Sequence, residues 1–131
     1  GAALFKEKIV AASCKKYVII ADERKYVQFL GENQPLPLEV HPFAISSVKE
    51  AVEKLGAKAT LREGSGKLGP VVTDNGNFIY DADFGRIQDP VNLDLKLHSI
   101  PGLIETGLFL SYVDFAYIGT RKSVKKIQKN E

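Results

Sequence analysis

The sequence predicts an α/β fold, a partial Rossmann-like parallel-sheet core carrying an inserted ferredoxin-like α+β lobe. Three observations predict it. A helix-spaced apolar pattern over residues 4–15 runs into Tyr17-Val18-Ile19-Ile20-Ala21, a β-branched run suited to a strand buried on both faces of a parallel sheet. Residues 31–37, with two prolines, mark a linker and a change of architecture. From residue 38 onward the pattern reads strand, helix, strand, strand, helix, strand, the order of a split βαβ unit. The expected division is therefore 1–35 with 111–131 for the core and 36–110 for the lobe.

Each element has a local reason. Leu4, Phe5, Ile9, Val10 and Cys14 give the first helix its apolar spacing. Leu38-Glu39-Val40 is a brief strand, and Pro42 suits the first turn of the helix that follows. That helix, over residues 43–55, carries Phe43, Ala44, Ile45, Val48, Ala51, Val52 and Leu55, with Gly56 as its C-cap. Residues 58–62 form a strand. After the loop 63–69, Val71-Val72-Thr73 and Phe78-Ile79-Tyr80 flank Asp74-Asn75-Gly76-Asn77, a hairpin signal with Asn-Gly at its centre. Residues 90–99 read as a helix, although Val91, Leu93, Leu95 and Leu97 nearly alternate. Residues 103–110 close the lobe as a strand. Phe115-Ala116-Tyr117-Ile118-Gly119-Thr120 returns to the first sheet, followed by a short basic helix.

Composition narrows the classes. With 131 residues, 44% hydrophobic and 26% charged, the chain can form one compact domain or two small lobes, and it shows no disordered signature. A net charge of +2 is too balanced to imply a nucleic-acid surface. Arg121, Lys122, Lys125, Lys126 and Lys129 concentrate the basic excess near the C-terminus, where cations complement the end of a final helix. The lone Cys14 has no intramolecular disulfide partner, which points to a reducing, cytoplasmic setting. No apolar run reaches the roughly 18 residues of a membrane span, and no signal-peptide pattern opens the chain.

The chemistry is concentrated in Gly1-Ala2-Ala3-Leu4-Phe5-Lys6-Glu7-Lys8-Ile9-Val10. A glycine turn opening a helix leaves backbone N–H groups for an anionic ligand, with the Glu7 carboxylate within about two turns of it. Unaided, Glu7 also reads as an exposed glutamate near a helix start, where the dipole favours it. This segment resembles the glycine-rich GGGAALxxEKIVA stretch of type A ribose-5-phosphate isomerases. The resemblance continues through Leu36-Pro37-Leu38-Glu39-Val40, Val71-Val72-Thr73-Asp74-Asn75-Gly76-Asn77, Ile100-Pro101-Gly102, Gly107-Leu108-Phe109 and Ile118-Gly119-Thr120.

The resemblance implies an aldose–ketose isomerase interconverting ribose 5-phosphate and ribulose 5-phosphate through an enediolate, in the non-oxidative pentose phosphate pathway. It makes Glu7 the proton acceptor. Lys25 corresponds to the lysine of the family's D-x-S-K pattern, although Asp22-Glu23-Arg24-Lys25 has Arg for Ser; its role is to bind phosphate or the enediolate oxygen. Gly1 contributes backbone contact to the substrate. The family implies no metal or organic cofactor, and a homo-oligomer, dimer or tetramer. Because numbering opens in mid-motif, an N-terminal half with the phosphate loop and paired aspartates is expected upstream, and the segment alone is expected to be inactive. The competing class is a non-catalytic ferredoxin-like module for ligand binding or oligomerisation.

Other features are expected to be structural. Gly64-Ser65-Gly66-Lys67 lacks the glycine at Leu61 and the hydroxyl at Leu68 that a phosphate-binding P-loop needs. His41 and His98 lack paired ligand spacing. Asp74, Asp81 and Asp83 read as turn or strand-end residues. Cys14 reads as a small core residue rather than a nucleophile.

Overall fold

A computed structural model of the chain describes residues 4–13, 18–22, 31, 34–66, 68–108, 115–119 and 124–128. The fold is mixed α/β, built on a four-stranded antiparallel sheet and a separate three-stranded sheet. Helix α1 (Leu4–Ser13) precedes strand β1 (Val18–Asp22). Strand β2 (Leu36–Val40), helix α2 (Ile45–Lys54), strands β3 (Lys58–Leu61) and β4 (Phe78–Asp83), helix α3 (Pro90–His98) and strand β5 (Leu103–Thr106) follow. Strands β6 (Phe115–Gly119) and β7 (Val124–Gln128) end the described chain. None of the described helices is long and apolar enough to cross a membrane.

The antiparallel sheet has the order β3-β4-β2-β5. Register partners such as Leu38 with Tyr80, and Glu39 with Ile79 and Glu105, point to common faces. Leu38, Val40, Tyr80, Ala82 and Ala59 face α2 and α3, where Val48, Val52 and Leu97 are fully buried. Removing a fully buried side chain such as Leu38 by substitution with Ala costs about 2–5 kcal/mol.

The helices follow from their sequences. In α2, Val48 and Val52 lie four apart on the buried face, with Ile45 and Leu55 beside them. A 3-10 turn at Pro42–Ala44 leads in, with His41 Nδ1 accepting from Phe43 N at 3.1 Å. Gly56, at φ +104°, takes the left-handed conformation that stops α2 and donates to the Glu53 carbonyl at 3.0 Å. Helix α3 opens on Asp89, which accepts from Asn92 N at 3.1 Å, with Pro90 in its first turn. The near-alternation of its leucines resolves into one buried side. Leu97 is buried and Leu93 packs on the core, while Val91 and Leu95 are exposed.

Three expectations need correction. Residues 124–128 form a strand, not a basic helix: β7 pairs antiparallel with β6, from Phe115 with Gln128 to Gly119 with Val124. The side of β6 away from β1 accepts the chain's backbone, and among the described strands β7 is the outermost on that side, a place lysines suit. Arg121, Lys122 and Lys129 lie outside the described residues. Val71-Val72-Thr73 makes no regular strand: Val72 forms an isolated bridge with Phe78, and Val71 N donates to the Arg62 carbonyl at 2.9 Å. There the chain turns back through Thr73, whose N–H donates to the Asn77 carbonyl at 2.8 Å and whose hydroxyl accepts from Asn77 N at 3.1 Å. Strand β5 ends at Thr106, short of the expected residue 110, and 109–110 lie outside the described residues.

The second sheet has the order β1-β6-β7. Strands β1 and β6 run parallel, Val18 opposite Phe115 and Asp22 opposite Gly119. The antiparallel sheet therefore lies, in sequence, wholly between two adjacent parallel strands.

Candidate functional site

Helix α1 buries Leu4, Lys8 and Ala11, a face with spacings of four and three residues. That face meets the side of the antiparallel sheet opposite the α2–α3 core. Lys8 Nζ donates to Glu105 Oε1 at 2.6 Å and to the Thr106 carbonyl at 2.9 Å, both on β5. Glu7 precedes Lys8 in the first turn of α1, at the flank of the buried face, and is exposed. The lysines beside it are engaged elsewhere, since Lys6 reaches Asp74 at 3.3 Å. A carboxylate in a helix's first turn sits where the dipole favours negative charge.

Behind Lys8 stands a polar cluster. Glu105 Oε1 also accepts from Thr106 N at 2.9 Å and lies 2.9 Å from His98 Nε2. His98 Nδ1 lies 2.9 Å from the Asp94 carbonyl, and the Thr106 hydroxyl donates to Asp94 Oδ1 at 2.7 Å. Burial works to raise the Glu105 pKa, but hydrogen bonds from Lys8, the Thr106 backbone and His98 outweigh it and hold the carboxyl below its ordinary range. Burial likewise works to lower the His98 pKa, and the Asp94 carbonyl with the Glu105 and Asp94 carboxylates carries it above its ordinary value.

On the same sheet face as Glu105, its register partner, is Glu39, fully buried. Its Oε2 accepts from Asn77 Nδ2 at 2.7 Å and Asn75 Nδ2 at 3.2 Å, and its Oε1 has no hydrogen-bond partner among the described residues. Glu39 thereby ties the turn that reaches Lys6 to the centre of the sheet.

Of the sequence-derived site residues, Glu7 is placed in α1, while Lys25 and Gly1 lie outside the described residues, as does Cys14. Asp81 is bidentate with Arg62, at 2.6 and 2.9 Å, and that hydrogen bond raises the Arg62 pKa against the opposing effect of burial. Asp83 caps a turn at Gly85 N, 2.9 Å away. These two carboxylates, with Lys58 and Glu63, line an open depression of 760 Å³ along β3. It occupies the sheet edge opposite β5 and does not include Glu7. Among the described residues no group of three or more His, Cys, Asp or Glu side chains is arranged to hold a metal ion. Asp94 and Glu105 meet opposite nitrogens of His98, so the three do not converge on a point.

Sequence reasoning missed the Lys8 cluster and the Glu39–Asn77 link. A signal for Lys8 was present in its spacing, four residues after Leu4 and three before Ala11. Another lay in Asp94, one helical turn before His98. Glu39 gave none, because alternation with Leu38 and Val40 reads as an exposed position.

Comparison with known proteins gives concordant matches. A family model described as ribose 5-phosphate isomerase A (phosphoriboisomerase A) matches residues 1–123. The ribose-5-phosphate isomerase A of Pyrococcus horikoshii is 46% identical over 129 residues, 98% of this chain and 56% of that protein. That of Methanothermobacter thermautotrophicus is 46% identical over 95% of this chain and 55% of its own length. The solved ribose 5-phosphate isomerase A of Methanocaldococcus jannaschii superposes with a TM-score of 0.88 at 43% identity, covering 95% of this chain and 54% of that one. A D-ribose-5-phosphate isomerase in complex with phospho-erythronic acid superposes with a TM-score of 0.90 at 45% identity, covering 94% and 54%. The chain thus spans about half the length of the curated relatives it matches.

Proposed function

Because the chain belongs to the ribose 5-phosphate isomerase A family, we propose that the protein it represents interconverts ribose 5-phosphate and ribulose 5-phosphate, with Glu7 as the proton-transfer base. The observation that carries this reading is the family match running through α1, with Glu7 in its first turn and both neighbouring lysines turned to other partners. In the open-chain aldose Glu7 removes the proton on C2, and the electron pair moves through the new C1–C2 double bond onto O1. A proton passes from O2 to O1, and the protonated Glu7 returns its proton to C1, leaving the ketone at C2. The phospho-erythronic acid bound by the related isomerase supports this reading. Its carboxylate presents the planar, anionic character of an enediolate, and an enzyme favours such transition-state-like ligands.

Lys25 is assigned to the phosphate or the enediolate oxygen, where a cation offsets developing charge, and Gly1 to backbone contact with the substrate. The reading includes no metal or organic cofactor, a homo-oligomer, a cytoplasmic setting and a place in the pentose phosphate pathway. Architecturally, residues 36–110 are read as a ferredoxin-like lobe, supported by the strand order β3-β4-β2-β5 with α2 and α3 on one face. Residues 1–35 and 111–131 are read as part of a Rossmann-like core, supported by the parallel β1–β6 pair. The non-catalytic module is not favoured, since the relatives are named as isomerases.

Glu7→Gln in the full-length protein tests the base. The amide keeps the shape and cannot take the proton, so kcat is expected to fall on the order of 10²–10⁴-fold with a much smaller change in substrate affinity. Exchange of the carbon-bound proton with tritiated solvent at the wild-type rate would remove Glu7 from this role.

A further inference from the structure

Lys8 is only 8% exposed and occupies the middle of the α1 face that packs on the sheet. Stability alone does not account for a lysine there. Desolvating a buried ion pair consumes much of its attraction, and apolar residues of similar volume commonly dock as well or better. What charge adds is direction. Lys8 Nζ meets acceptors from two successive residues of β5, Glu105 Oε1 at 2.6 Å and the Thr106 carbonyl at 2.9 Å. Together they define both the rotation of α1 about its axis and its position along the strand, whereas Leu4 and Ala11 contribute apolar contacts that tolerate sliding.

Glu105 is held in turn. The same oxygen accepts from Thr106 N and meets His98 Nε2, each at 2.9 Å, and His98 is tethered to Asp94 on α3. A continuous set of contacts therefore runs from α3 through β5 to α1 and ends one residue from Glu7.

We propose that Lys8 is a positioning residue whose ion pair with Glu105 fixes the rotation of α1 and so aims the Glu7 carboxylate at the reacting carbon. The inference rests on the reading of Glu7 as the base. A carboxylate displaced by about 1 Å can lose up to about 10²-fold in rate, so a modest rotation of α1 is enough to register.

The test measures kcat, KM and thermal midpoint for Lys8→Met, Lys8→Arg, Glu105→Gln and Glu7→Gln in the full-length protein with ribose 5-phosphate. Lys8→Met is expected to lower kcat by roughly 10–100-fold with KM within about threefold of wild type. Lys8→Arg, which restores a cation, should recover most of the loss, and Glu105→Gln should fall between. A purely packing role shifts the melting temperature and leaves kcat per folded molecule intact. A kcat for Lys8→Met within about twofold of wild type therefore overturns the proposal. If Lys8→Met does not fold, Glu105→Gln, which keeps its shape and one acceptor oxygen, decides on the same criterion. Full activity of Glu7→Gln removes the base reading itself. An inactive Glu7→Gln beside a fully active Lys8→Met removes only the positioning role.

Discussion

Gly102 and Gly56 both have positive φ, yet they differ in what a side chain would meet. A Cβ on Gly102 falls 2.2 Å from Ala44 Cβ, while one on Gly56 meets nothing within 4 Å. Gly102→Ala therefore combines left-handed strain with overpacking and is expected to cost about 2–4 kcal/mol, against about 1 kcal/mol for Gly56→Ala. Urea denaturation of the two variants measures the difference. Glu39 offers a sharper contrast. Glu39→Gln retains both its shape and an oxygen for the Asn75 and Asn77 amides, so stability should change by less than about 1 kcal/mol. Glu39→Leu leaves the Asn77 amide without its acceptor and is expected to cost about 1–3 kcal/mol on the same measurement. These distinctions are invisible in sequence, where both glycines are turn residues and Glu39 is one polar position in a strand.

Among the elements, α3 depends visibly on its start. Asp89 accepts from Asn92 N, and the helix it opens carries Asp94 and His98 into the polar cluster. Asp89→Ala is expected to cost about 1 kcal/mol, read as a lowered denaturation midpoint with an unchanged slope. Helices α2 and α3 were legible because their stop and start signals, Gly56 and Pro90, act through local backbone geometry. Strand β7 was not, because its Lys125 and Lys126 carry no strand preference, and what makes it a strand is the neighbouring β6 backbone. Val71-Val72-Thr73 erred in the other direction. Its β-branched residues fit a strand, but the Thr73 hydroxyl and carbonyl serve the turn, from Asn77 N at 3.1 Å and Gly76 N at 2.9 Å.

For the whole molecule, the polar cluster links ionisation to stability. The Glu105 pKa is lowered on folding from 4.5, so its contribution is present above that value and lost as pH falls through the lower folded one. The His98 pKa is raised from 6.5, so its contribution is complete below that value and lost as pH rises through the higher folded one. Both operate together between 4.5 and 6.5. The stability difference between the protein and its His98→Asn variant should be largest in that interval and shrink as pH rises through the higher folded value, as urea midpoints across pH would show. Sequence brought Glu7 forward through its motif, whereas the contacts of its neighbour Lys8 depend on residues 97 and 98 positions away, which no local pattern encodes. The same remoteness governs how the molecule forms. Strand β1 finds its parallel partner β6 only after the chain has passed through every strand of the antiparallel sheet. Closing so long a loop in an unfolded chain is entropically unfavourable, and contacts of high sequence separation form slowly. Once β2 to β5 have collapsed, the ends of that intervening segment are brought closer and the closure is largely complete. Amides of β2 and β4 should therefore gain protection ahead of those of β1 and β6 in pulsed hydrogen-exchange refolding, and simultaneous protection of the two sheets would contradict that order.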